Sequence, residues 1–256
     1  MKHSLLAAAA ALLFAAGAHA KIVTKTIDYP YEGHTMKGYL AYDDAKTAGA
    51  PGVLVVHEWW GLNEYIRKRT REVAALGYVA FAPDMYGEGK TTTDPKEAGA
   101  LSGGVSKPEL AKRAQAALDV LLKQPGVDKA HIGAMGFCFG GTTALALAYS
   151  GADLKGVVTF HGSLFPPEAG AQIKAPIAIL HGEKDPFMKP ETVQQVKDAL
   201  DGAKADWYMV VYANAVHGFT NPDADSYHIP GLAYDEKAAK RSWREMTSFF
   251  KVQLGK

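Results

Sequence analysis

The residues best placed to do chemistry are gathered around one cysteine. Cys138 lies in Gly133-Ala-Met-Gly136-Phe-Cys138-Phe-Gly140-Gly141, between a run that reads as a strand and one that reads as a helix. Gly-x-Cys-x-Gly in that setting is the pattern of a nucleophile elbow. The tight strand-to-helix turn forces the nucleophile into strained dihedrals, and side chains two residues away on either side would clash, so both places require glycine. The helix behind it directs its N-terminus at the sulfur, favours negative charge there, and offers the Phe139 amide to an oxyanion. The inert alternative is a buried cysteine between glycines. A nucleophile also needs a base, and the base needs orienting. His181-Gly-Glu-Lys-Asp185-Pro follows a buried run, where an acid faces the site of an open α/β sheet. Ala215-Val-His217-Gly-Phe219 follows the next such run. Together they give Cys138 as nucleophile, Asp185 as orienting carboxylate and His217 as general base. His57, His161 and His181 also fall near strand ends, but no His-x-x-His or His-Glu-x-x-His spacing accompanies them. No metal is expected.

The elements that must hold these groups alternate between two periods. Ile22 to Asp28 and Met36 to Tyr42 read as a hairpin at a sheet edge, turning at Glu32-Gly33-His34. Pro51 to His57 is a continuous apolar run suited to a central, doubly covered strand. Asn63 can cap a helix running to Leu76, with Ile66, Val73 and Leu76 on one stripe and Gly77 as its stop. A short strand follows from Tyr78 to Ala82. Residues 83 to 107 lack periodicity and are rich in glycine and threonine, which predicts a long mobile connection able to gate entry. Helices are then expected over Pro108 to Gln124, Phe139 to Tyr149, Glu191 to Leu200 and Tyr234 to Val252. Strands are expected over His131 to Met135, Leu154 to Phe160, Ala175 to Leu180 and Asp206 to Tyr212. This β-α-β alternation predicts one doubly wound α/β domain with a mostly parallel sheet.

Composition fits an enzyme-sized globular chain. Its 256 residues are 48% apolar and carry 28 Lys+Arg against 27 Asp+Glu. There is no basic surplus to meet phosphates, so nucleic acid is not an expected partner. Residues 1 to 20, MKHSLLAAAAALLFAAGAHA, have a positive start, an apolar stretch from Leu5 to Gly17 and Ala18-His19-Ala20 as a small-x-small cleavage site. They predict a cleaved secretory signal, with cleavage after Ala20 and a periplasmic or secreted mature chain. The run is too short and alanine-rich for a membrane anchor, so no membrane span is expected after cleavage. The single cysteine can form no internal disulfide.

Five segments together resemble the dienelactone hydrolase family, α/β hydrolases with a cysteine nucleophile. They are His57-Glu58-Trp59-Trp60-Gly61-Leu62-Asn63, Ala82-Pro83-Asp84-Met85-Tyr86, the Cys138 elbow, His181-Gly-Glu-Lys-Asp185 and His217-Gly-Phe219. The order nucleophile, acid, histidine is also the one α/β hydrolases use. The resemblance covers nearly all of residues 21 to 256 and implies a single-domain α/β-hydrolase fold. By position, Glu58 is the glutamate that lies beside the thiol and helps to activate it, and the Trp59 amide completes the oxyanion hole with Phe139. Trp60, Tyr86, Phe137 and Phe219, with Asn221, are candidates for the substrate pocket. Members acting on dienelactone itself grip its carboxylate with arginines, one of them four residues after the catalytic histidine. Asn221 stands there, and Gly87-Glu88-Gly89 after Tyr86 supplies no cation either. A neutral or differently shaped small-molecule ester, lactone or thioester is therefore the expected substrate, with no cofactor and a monomer as the expected state. Two other readings stay open: a binding or thiol redox-sensing protein on the same fold, and an acyltransferase. A sensor thiol needs access and negative charge but no ordered acid-base pair. Acyl transfer is told from hydrolysis only by where the acyl group ends.

Overall fold

The computed structural model describes residues 21–256; the expected signal segment lies outside the described residues. Eight strands form one sheet: β1 (Ile22–Tyr31), β2 (His34–Asp43), β3 (Ala50–Val56), β4 (Val79–Ala82), β5 (Val127–Phe137), β6 (Gly156–Phe160), β7 (Ile177–Gly182) and β8 (Trp207–Tyr212). Their order is β1-β2-β4-β3-β5-β6-β7-β8. β1 and β2 make the expected edge hairpin, β2 pairs antiparallel with β4, and from β4 to β8 every neighbour is parallel. The chain runs from β3 outward to β4, then returns to place β5 on β3's other side. The sheet's topological switch point thus lies between the carboxyl ends of β3 and β5, where open α/β sheets form their clefts.

The helices among the described residues are α1 (Glu64–Ala75), α2 (Pro95–Gly103), α3 (Lys107–Leu121), α4 (Phe139–Tyr149), α5 (Pro190–Gly202) and α6 (Glu236–Leu254). Side chains alternate across each strand, so one apolar run serves two cores. Val53, Val55, Met135 and Phe137 pack with Ile66 and Val73 of α1 and Met246 and Phe250 of α6. Leu54, Ile132 and Ala134 face the other way, onto Ala117 and Leu121 of α3, Leu145 of α4 and Val196 of α5. Asn63 caps α1 as expected, its side-chain oxygen accepting the Ile66 amide.

Residues 83 to 107 are not the mobile connection that their composition predicts. Asp84 binds four backbone amides, those of Tyr86 and Gly87 through Oδ1 and those of Lys37 and Gly89 through Oδ2. Asp94 caps α2 through the Lys96 amide, with Pro95 in the first turn. The helix buries only Ala98, which is why it shows no apolar stripe in the sequence. The sequence also misses a short 3-10 helix, Ala224–Tyr227, after the His217 loop.

Candidate active site

Cys138 joins β5 directly to α4 with φ +52° and ψ −117°, a conformation that costs energy for any residue with a side chain. The turn is held closed by the Cys138 amide, which donates to the Phe160 carbonyl at 3.0 Å. The flanking glycines are required by packing: a Cβ on Gly136 would overlap the Gly140 carbonyl, and one on Gly140 would overlap the carbonyls of Val56 and His57. The elbow therefore presses against the end of β3, which brings Glu58 and Trp59 beside the sulfur's turn. The Phe139 amide, first in α4, has no acceptor within its helix. Neither it nor the Trp59 amide donates to another group among the described residues.

Asp185, in the turn after β7, accepts from His217 Nδ1 at 2.7 Å through Oδ2, and its Oδ1 takes the Phe187 amide at 2.9 Å. Both partners of the pair are buried. That bond fixes the ring and leaves its other nitrogen for a second partner, with Cys138 near enough to act on the ring's charge. Burial works against a charged His217, but Cys138 and Asp185 on its two sides outweigh it and raise its proton affinity.

Glu58 is buried, with its Oε2 accepting from Asn221 Nδ2 at 2.7 Å. Burial pushes its carboxyl up to about 7, against the Asn221 amide and the His217 charge, which pull it down. The sequence groups Asn221 with the pocket residues; the structure sets it on the Glu58 carboxylate. His57 orients the same corner. The Met85 amide donates to its Nε2, so its Nδ1 carries the proton and donates to the Glu58 carbonyl.

The aromatic residues divide. Trp59, Tyr86 and Phe139 share a cluster with Cys138. The Tyr86 hydroxyl donates to the Trp59 carbonyl at 2.8 Å, and the two rings of His57 and Phe139 stack at 5.8 Å. Trp60, Phe137 and Phe219, expected as pocket walls, lie instead in the interior. Trp60 stacks on Tyr227 of the 3-10 helix at 4.0 Å, and Phe137 stacks on Phe160 at 4.7 Å. Phe219 sits between His161 and Tyr212. Strand alternation explains Phe137, whose neighbour Cys138 leaves the strand while it stays on the α1 and α6 face. Two residues that the sequence reading missed stand nearer the chemistry. Phe165 belongs to the Cys138 cluster. Phe187, 51% exposed, sets its ring perpendicular to His217 at 5.2 Å. Its place two residues after Asp185 is the only signal that the sequence held for it.

Among the described residues no three His, Cys, Asp or Glu side chains gather as a metal-binding set, and no helix is long and apolar enough to cross a membrane. Residues 36–254 match the Dienelactone hydrolase family. The chain belongs to that family. Its members share the fold and reaction class described above, so it is a hydrolase on an α/β-hydrolase fold. Among its relatives is the protein usf of Aquifex pyrophilus, 31% identical over an alignment of 236 positions that covers 89% of this chain and 98% of that one. A protein of Escherichia coli K12, provisionally named a carboxymethylenebutenolidase, is 29% identical over 92% of this chain and 89% of its own. Among solved structures, a dienelactone hydrolase-like promiscuous phosphotriesterase from metagenomic libraries is 40% identical over 92% of this chain and 99% of its own, with a TM-score of 0.86.

Proposed function

We propose that this protein hydrolyses small, neutral carboxylic esters or lactones through a Cys138-His217-Asp185 triad and a covalent acyl-enzyme. The observation that carries the reading is the strained elbow: Cys138 is held at φ +52° at the same end of the sheet as a histidine that Asp185 already orients. In acylation the Cys138 thiol gives its proton to Glu58 and the sulfur attacks the carbonyl carbon. The Phe139 and Trp59 amides hold the oxyanion, and protonated His217 donates to the departing alkoxide. Neutral His217 then takes a proton from water, the hydroxide attacks the thioester, and the released sulfur recovers its proton from Glu58. A carboxyl near 7 is suited to accept and return that proton close to neutrality. The Asn221 amide in the place of a cation supports a substrate without a carboxylate.

The test is turnover of nitrophenyl esters and simple lactones by wild type, Cys138→Ala and His217→Ala, with mass spectrometry of the wild type quenched during turnover. Because a relative is titled a promiscuous phosphotriesterase, an aryl phosphotriester belongs in the panel. Losses of about a thousandfold or more in both variants, with an acyl adduct on Cys138, are expected. Activity that survives Cys138→Ala would refute the triad, and an acyl group recovered on an added alcohol in preference to water would make the protein a transferase. We also propose that the mature chain starts at Lys21 outside the cytoplasm, on the pattern of residues 1–20. N-terminal sequencing of protein from a periplasmic extract checks this.

A further inference from the structure

Behind the His217 ring lies a buried polar chain that the proposed chemistry does not use. Thr220 Oγ1 lies 2.9 Å from the Tyr65 hydroxyl of α1 and 2.7 Å from His161 Nε2 at the end of β6. The Thr220 carbonyl accepts from Arg69 of α1 at 2.8 Å. Tyr65, Thr220 and His161 are all buried. Arg69 is wedged among the rings of Tyr65, Phe137 and Trp243. His161 has φ +39°, a strained value for a residue with a side chain, and its ring meets the edge of His217 at 5.3 Å. Strain of this kind persists only where surrounding contacts enforce it.

The Thr220 hydroxyl bridges the Tyr65 oxygen and the His161 ring, and each of these two bonds accommodates either partner as donor. Burial together with the His217 and Arg69 charges holds the proton affinity of His161 well below the usual range, so its ring is neutral. Thr220 stands in the middle of a loop that carries His217 three residues before it and Asn221 one residue after it. His217 serves Cys138 and Asn221 serves Glu58, so the two acid-base groups hang on the same five-residue stretch, His217 to Asn221.

Resting on the catalytic reading above, we infer that Tyr65, Thr220, His161 and Arg69 form a clamp that positions both His217 and Asn221. These four are positioning residues: they act through the loop and touch neither sulfur nor substrate. Displacement of a reacting group by about 1 Å can cost on the order of a hundredfold in rate.

Thr220→Val keeps the shape and removes the hydroxyl, whereas Thr220→Ser returns it. The expected result is a fall in kcat of about tenfold to a hundredfold for the valine variant, with KM changed less than about threefold. Its acid pH limb should also move, because Asn221 no longer sits squarely on Glu58. Thr220→Ser should restore both. His161→Phe should lose a similar factor, and the double variant with Thr220→Val should lose little more than either alone. Rates are taken per competent site by titration with a thiol-directed suicide ester, so unfolded protein does not count. If the valine variant does not fold, Thr220→Ala is read in the same way. Wild-type kcat and an unmoved pH limb in the hydroxyl-less variant, while Cys138→Ala is inactive, would overturn the clamp. An active Cys138→Ala would sink the catalytic reading itself.

Discussion

Replacing Glu58 with glutamine should stabilise the protein, and more so as the pH rises. Glu58 is 3% exposed, and burial lifts its carboxyl from 4.5 to about 7. A carboxylate with a raised folded value binds its proton more tightly folded than unfolded. Its burial therefore costs nothing below pH 4.5, costs progressively more between 4.5 and 7, and reaches a plateau above 7. At about 1.36 kcal/mol per pH unit the plateau is on the order of 3 kcal/mol, most of it gained between pH 5 and pH 8.5. Glutamine is neutral throughout, and its amide oxygen can still accept from Asn221, so the variant escapes the cost without losing the bond. For a chain of this size a cost on the order of 3 kcal/mol is roughly 5 to 10 °C in melting temperature. The assay is urea unfolding of wild type and Glu58→Gln across that range. Near-equal stabilities at pH 5 diverging in favour of the variant at pH 8.5 are expected. A constant difference, or a variant that is less stable at high pH, would refute the reasoning that Glu58 is a strained acid kept for chemistry.

Asn221→Asp preserves the acceptor for the Asp223 amide but replaces the donor on Glu58 with a second carboxylate. Losing a hydrogen bond to a charged group should move the acid limb of kcat/KM upward by at least about one pH unit, and an unmoved limb would remove Glu58 from the mechanism. Asp84→Ala strips four backbone amides of their shared acceptor. It should cost on the order of 3 kcal/mol or more in urea unfolding, with protease cleavage appearing between residues 84 and 107; a loss under about 1 kcal/mol would mean that the loop is held by other contacts.

Much of the molecule was legible because its signals are local. Strand and helix periods recur within a few residues, Asn63 and Pro95 sit at helix starts, and Gly136 answers a clash with a carbonyl four residues on. The order of Cys138, Asp185 and His217 after β5, β7 and β8 gave the site's outline, since a parallel sheet delivers those ends to one edge. Hydrophobicity was less informative. Trp60, Phe137 and Phe219 are as apolar as any pocket wall, but which side of a strand or turn a ring takes depends on what packs against it. α2 escaped notice because a helix that buries one alanine needs no stripe.

What the sequence by itself determined was therefore the sheet, the elbow and the residues proposed here as acid, base and nucleophile. What only the tertiary structure decided was how loops far apart in the chain meet. Asn221 reaches Glu58 across 163 positions, Thr220 joins Tyr65 across 155, and Phe187 stands over His217. Such contacts leave no period or motif. They arise where the carboxyl ends of parallel strands converge, and the geometry of that convergence belongs to the packed sheet as a whole.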